Sequence, residues 1–173
     1  MQVHEKTHIA QGSKIKYLKL ATLLYIKNNG GDFLLIERTQ KPNRGFWSPP
    51  GGKLIIDIAE SPFACAVREM KEECGFDTKT ADWTLRGIVT EKNYPDIGNL
   101  MLFAMEYGIA VNEIPPESPE GKFGFFNPSI IKSLHIPPVD KLYLWDFVLN
   151  NKKSVFCIDV DCNDGKYTGK IEK

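Results

Sequence analysis

Between Glu60 and Phe76 the chain reads ESPFACAVREMKEECGF, setting four glutamates and one arginine in a short segment. Ser61 before Pro62 is an N-cap followed by a first-turn proline, and Gly75 stands where a C-terminal cap belongs, so the spacing predicts a helix over 62–74. Phe63, Val67, Met70 and Cys74 then form an apolar stripe, while Glu69, Glu72 and Glu73 gather on another face. Such a face is either a solvated surface softened by Arg68 and Lys71, or a site that needs positive charge. The acids cluster toward the helix C-terminus, where the dipole disfavours anions, and a Gly- and Pro-dense loop precedes them. A hard divalent cation, Mg²⁺ or Mn²⁺, is the natural counter-charge, because such ions take carboxylate oxygens and are commonly completed by substrate phosphates. Beside a pyrophosphate the ion would offset charge on bridging oxygens and lower the pKa of an attacking water.

The elements that must hold these residues read as one α/β domain. The 173 residues are 42% apolar, enough for a single sizeable core, and residues 1–15 read as a polar, flexible segment. Lys plus Arg equals Asp plus Glu at 22 each, so bulk charge draws the protein neither to nucleic-acid polymers nor to an anionic membrane, and a polyanionic ligand must be handled locally. No apolar run approaches a membrane span. The four cysteines show no zinc-finger or disulfide spacing, which points to reduced thiols and a cytoplasmic protein. Runs at 18–26 and 33–37 around Asn28-Asn29-Gly30-Gly31 predict a hairpin, as do the runs flanking Asn163-Asp164-Gly165. LRGIVTEK and NLMLFAMEYGIA read as strands, NRGFWSPPGGKLIIDIAE as a shaped loop, and YLWDFVLN as a short helix.

The acidic segment resembles the signature of the Nudix hydrolases: Gly, five residues, Glu, seven residues, Arg-Glu-apolar-any-Glu-Glu-any-Gly-apolar. From Glu60 through Arg68-Glu69-Met70-Lys71-Glu72-Glu73-Cys74-Gly75-Phe76 every position matches. Upstream the chain departs from it: Gly52 has seven residues before Glu60 instead of five, and Ala59 replaces the usual Gly. The resemblance implies an α/β/α sandwich with a mixed β-sheet, and hydrolysis of a nucleoside diphosphate linked to another group. It implies metal binding by Glu69, Glu72 and Glu73 with the Gly52 carbonyl, and an orienting role for Arg68 and Glu60.

More loosely, GFWSPPGGK, PPESPEGKFGFF and IPPVDKLYLWDFVLN resemble the branch that cleanses oxidised purine nucleoside triphosphates such as 8-oxo-dGTP. By that likeness Glu120 joins the metal site or serves as base, and Glu69 and Glu120 both stand as candidates for the base. Trp47 either stacks on a nucleobase or packs in the core. Ser48 stands where that branch often has a base-reading Asn, and Asp140 is either a reader of a purine edge or a helix N-terminal acid. Arg38 and Lys53 flank the loop within reach of phosphates. The resulting expectation is a Mg²⁺-dependent diphosphohydrolase releasing pyrophosphate from a small nucleotide, as monomer or homodimer. The alternatives are a hydrolase of ADP-ribose or dinucleoside polyphosphates, toward which Tyr94-Pro95 points, and a non-catalytic nucleotide-sensing module, against which the retained acids argue.

Overall fold

The computed structural model describes residues 17–150 and 154–172, so the expected flexible segment lies outside the described residues. Strands β1 (Leu18–Tyr25), β4 (Trp83–Tyr94), β5 (Gly98–Tyr107), β7 (Phe156–Asp161) and β8 (Thr168–Ile171) form one sheet in the order β1-β5-β4-β7-β8. It is mixed: β1 runs parallel to β5 and β4 parallel to β7, while β4–β5 and β7–β8 are antiparallel. Strands β2 (Phe33–Arg38), β3 (Trp47–Ser48) and β6 (Gly121–Phe126) make a second, antiparallel sheet in the order β3-β2-β6.

The first predicted hairpin does not form. The Asn28–Asp32 turn is present, closed by Asn28 N–H to the Asp32 carbonyl at 3.0 Å, but beyond one isolated Lys27–Phe33 bridge the strands part into different sheets. Their composition explains this. Leu24, Tyr25, Ile26, Phe33, Leu34, Leu35 and Ile36 are all buried, so each strand needs cover on both faces, which a two-stranded hairpin lacks. The β7–β8 hairpin forms as predicted.

Helix α1 (Pro62–Cys74) keeps the predicted bounds: the Ser61 hydroxyl accepts from Ala64 N–H, and Gly75 adopts φ 80°. Its Ala66, Met70 and Cys74 pack with Leu24, Ile26, Leu34, Ile36 and Met105 in one core. A second core lies around Trp145, which meets Tyr25 and Phe33 edge-on at ring distances of 5.3 and 5.1 Å. Trp145 opens α3 (Trp145–Asn150), which continues from a π-helical turn over Asp140–Leu144; a short helix α2 (Pro128–Ile131) precedes them. Helices therefore pack on two cores around the sheets, the layered arrangement of an α/β protein.

The loop before α1 lies along the outer edge of β1. Thr22 N–H donates to the Gly52 carbonyl, Leu24 N–H to that of Pro50, and Leu54 N–H to that of Leu20, at 2.8, 2.8 and 3.0 Å. The longer stretch between Gly52 and Glu60 is taken up by a 3₁₀ turn at Ile56–Ile58 that faces outward, with Ile56 and Ile58 exposed. Ala59 closes that turn at φ 52°, the left-handed conformation that glycine adopts most readily. Gly52 and α1 are thus held against each other despite the extra residues.

Candidate active site

A cleft of about 770 Å³ runs between these elements, and its lining includes Arg38, Ser48, Gly52, Lys53, Glu69, Glu72, Glu73, Glu120 and Asp140. Nine residues singled out in the sequence are therefore brought to one cavity. Trp47 does not line it. Neighbouring residues of a strand face opposite sides, and Ser48 takes the cleft side while the Trp47 ring packs edge-on against Phe126 at 4.6 Å.

Arg68 and Glu60 stand behind the cleft as a bidentate pair, with Arg68 Nε to Glu60 Oε1 and Nη2 to Oε2 both at 2.9 Å. The bond to Arg68 holds the Glu60 carboxyl below its ordinary range despite some burial. Glu60 also accepts from Ile55 N–H, and Arg68 Nη2 donates to the Lys53 carbonyl, so the pair fastens the loop to the helix. From its other nitrogen, Arg68 Nη1 reaches Glu69 Oε1 at 2.6 Å and Glu72 Oε2 at 2.9 Å. One guanidinium thereby orients two of the acids.

Glu69 is buried, and burial raises its pKa against the lowering effect of Arg68. Its carboxyl occupies the space beside Gly52 that any Cβ there would fill. Glu73 accepts from Gly51 N–H at 2.8 Å, and its pKa is pushed up first by burial and then by a hydrogen bond with Glu120. That bond needs a proton between the two carboxyls. Glu72 is exposed.

As they stand, no three acids among the described residues converge as a metal cage, since Arg68 engages Glu69 and Glu72 while Glu73 turns to Glu120. The donor set nevertheless suits a hard divalent ion: four carboxylates and the Gly52 carbonyl, all oxygen, line one cleft. Burial first, and neighbouring carboxylates after it, raise the pKa values of Glu69 and Glu73, and a bound cation would offset both effects.

The cleft also contains groups the motif did not reveal. Glu91, on β4, is 2% exposed, and Tyr94 donates through its hydroxyl to Asn43 Oδ1 at 2.7 Å. The signal for Glu91 was its parity: it shares a strand face with Gly87 and Val89, both buried, where a carboxylate is out of place.

A helix carrying acids held by a partly buried Arg–Glu pair against a glycine loop, within a mixed α/β fold, defines a Nudix domain. The family model described as NUDIX domain matches residues 17–145, which is 129 of 173 residues, and the chain belongs to this family. It is a hydrolase acting on pyrophosphate bonds, from a family that uses divalent metal ions. The uncharacterized Nudix hydrolase YvcI of Bacillus subtilis (strain 168) is 27% identical over 139 residues, covering 79% of this chain and 82% of that protein. A MutT protein from Bacillus halodurans superposes with a TM-score of 0.73 at 23% identity, over 89% of this chain and 97% of its own. The NUDIX domain of Shewanella oneidensis NrtR, solved with ADP ribose, superposes with a TM-score of 0.60 at 15% identity, over 82% and 92% of the two chains. At these identities the two structures speak for the fold alone.

Proposed function

We propose that this protein acts as one domain and is a Mg²⁺-dependent diphosphohydrolase of nucleoside triphosphates, with oxidised purines such as 8-oxo-dGTP as substrates. The observation that carries this reading is the cleft itself: the motif carboxylates line it together with Arg38 and Lys53, and the same cavity extends to the buried carboxyl of Asp140. Cationic side chains, carboxylates able to hold a metal and base-reading groups in one space suit a ligand that joins a polyphosphate to a nucleobase.

Mg²⁺, or Mn²⁺ in its place, would be held by Glu69, Glu72, Glu73 and Glu120 with the Gly52 carbonyl, and would offset phosphate charge and acidify the attacking water. The protein's own groups supply the rest. Arg68, braced by Glu60, keeps Glu69 and Glu72 turned to the cleft, and Gly51 N–H fixes Glu73. Glu69 and Glu120 are the two carboxylates suited to take the proton of the water, while Arg38 and Lys53 draw in the phosphates. Ser48 and Asp140 read the base, Asp140 through its acceptor oxygens. Water adds to one phosphorus, the bridging oxygen leaves with pyrophosphate, and the nucleoside monophosphate remains.

Four free thiols, three of them buried, suit a reducing cytoplasm, and among the described residues no helix is long and apolar enough to cross a membrane. A screen of normal and oxidised nucleoside triphosphates, ADP-ribose and dinucleoside polyphosphates with Mg²⁺, resolved by chromatography, tests the reading. Nucleoside monophosphate plus pyrophosphate from a triphosphate supports it. Cleavage of ADP-ribose alone sinks it.

A further inference from the structure

Tyr94 faces the cleft only because strand β4 is irregular. Glu91 and Tyr94 both line the cavity although they stand three residues apart, and successive strand residues point to opposite faces. The pairing of β4 with β5 slips between them, from Glu91 opposite Leu100 to Tyr94 opposite Gly98, so β4 carries one extra residue there, and Asn93 takes φ 57°. Such a bulge re-aims the side chain that follows it. Lys92 and Asn93 are accordingly both exposed, while Tyr94 is 8% exposed.

The hydroxyl aimed in this way is used on the opposite rim. Residues 39–46 connect β2 to β3 and close on themselves: Gly45 N–H donates to the Arg38 carbonyl at 2.7 Å, Arg38 N–H to that of Phe46 at 3.0 Å, and Phe46 N–H to that of Asn43 at 3.0 Å. The base of this turn is tied to the rest of the fold by Thr39 N–H on the Glu120 carbonyl and by Trp47 N–H on that of His135. The tip has a single tie. Among the described residues, the one hydrogen bond from residues 41–44 to a group outside the β2–β3 hairpin is the bond that Asn43 Oδ1 accepts from Tyr94, at 2.7 Å. The tip in turn holds Arg38, whose Nε donates to the Pro42 carbonyl at 3.2 Å and whose two Nη groups have no partner among the described residues. A guanidinium fixed at Nε with both Nη groups open presents the donors that grip a phosphate.

We propose that Tyr94 is a positioning residue for the hydrolysis: its hydroxyl fixes Asn43, the adjoining Pro42 carbonyl is fixed with it, and that carbonyl aims the Arg38 guanidinium at the substrate's phosphates. This rests on the reading above that Arg38 draws in phosphates. It also places the Tyr94 ring in the core around Trp145, where it serves the protein and not a second nucleoside, so Tyr94 does not by itself select a dinucleoside polyphosphate.

Two substitutions break the tie cleanly. Because the ring belongs to the core, Tyr94→Phe deletes the hydroxyl and keeps the packing. Asn43 stands at φ 65°, which glycine accepts, so Asn43→Gly deletes the acceptor and keeps the backbone. Steady-state kinetics on dGTP and 8-oxo-dGTP with Mg²⁺ should give each variant a KM about fivefold above wild type, with kcat within about twofold, the scale of one lost hydrogen bond. In an Arg38→Gln background, whose own KM is raised, adding Tyr94→Phe should change KM by less than about twofold. An unchanged KM in Tyr94→Phe, or a rise by the same factor with and without Arg38, overturns the proposal. Where ADP-ribose alone is cleaved, the triphosphate reading is lost and the same cycle run on ADP-ribose judges Tyr94. Hydrogen exchange of residues 39–46, followed by mass spectrometry on protein without nucleotide, is independent of substrate. Exchange about fivefold faster or more in both variants supports the strut, and exchange equal to wild type overturns it.

Discussion

Gly52→Ala tests the arrangement of loop and helix at a single atom. Gly52 does not use a positive φ, so alanine suits its backbone, but the added Cβ would fall on the Glu69 carboxyl, with Oε2 only 2.5 Å away. Real Cβ contacts stay beyond 3.0 Å, so the carboxyl must retreat by at least about half an ångström, and Oε1 by more. The neighbour that moves is the end of a side chain, so the fold is little disturbed. Catalysis is another matter, because misplacing a reacting group by about 1 Å costs on the order of a hundredfold. The expected result is kcat/KM down about a hundredfold by pyrophosphate release, with Tm within about 3 °C, roughly 1 kcal/mol for a chain of this size. Gly51→Ala is the matched contrast. At φ 138° its Cβ would meet the Thr22 carbonyl, which is backbone, so the Thr22–Gly52 and Leu24–Pro50 hydrogen bonds must open. At about 1 kcal/mol each, that lowers Tm by roughly 4–8 °C. Gly52→Ala activity within threefold of wild type, or a loss of Tm equal to that of Gly51→Ala, would refute the reasoning.

Glu72→Gln and Glu73→Gln should each cut turnover on the order of a hundredfold, and unchanged turnover in both removes them from the metal site. Arg68→Lys keeps the charge but cannot fork between Glu60, Glu69 and Glu72, so kcat should fall roughly tenfold or more at modest cost in Tm; equal activity would show that orientation by Arg68 is dispensable. Stability should respond to pH through Glu91. Its folded pKa, about 8, exceeds the ordinary 4.5, so the native state holds the extra proton and stability is lost as pH rises from about 4.5 to 8. Thermal melts from pH 5 to 9 should show Glu91→Gln gaining on wild type across that window, and a constant difference would contradict the burial of a neutral acid.

Local features were legible and long-range ones were not. The bounds of α1 follow from Ser61, Pro62 and Gly75, whose capping acts over three or four residues, and the signature acids follow from α1. The β1–β2 hairpin failed because strand partners depend on cover from distant chain, here β5 for one strand and β6 for the other. Trp47 and Ser48 were both candidates for the ligand, with core packing the alternative for Trp47, yet adjacent strand residues face apart, and only register with β2 decides which one reaches the cleft. Glu91 had a faint signal, a carboxylate in phase with buried neighbours, but nothing in the chain announces that Asp140 lies nearby, forty-nine positions later.

The π-helical turn at Asp140–Leu144 behaves as a one-residue insertion in an otherwise regular helix. Each residue turns a helix by about 100°. The extra residue therefore uncouples two alignments: Leu144, Trp145 and Val148 are indexed to the core, while Asp140 is indexed to the cleft. Removing one residue from the turn would restore an ordinary helix and a better backbone ladder, and would swing Asp140 out of the cavity without moving Trp145. A single-codon indel there could thus add or remove the carboxyl at this end of the cleft, leaving the acids of α1 where they are.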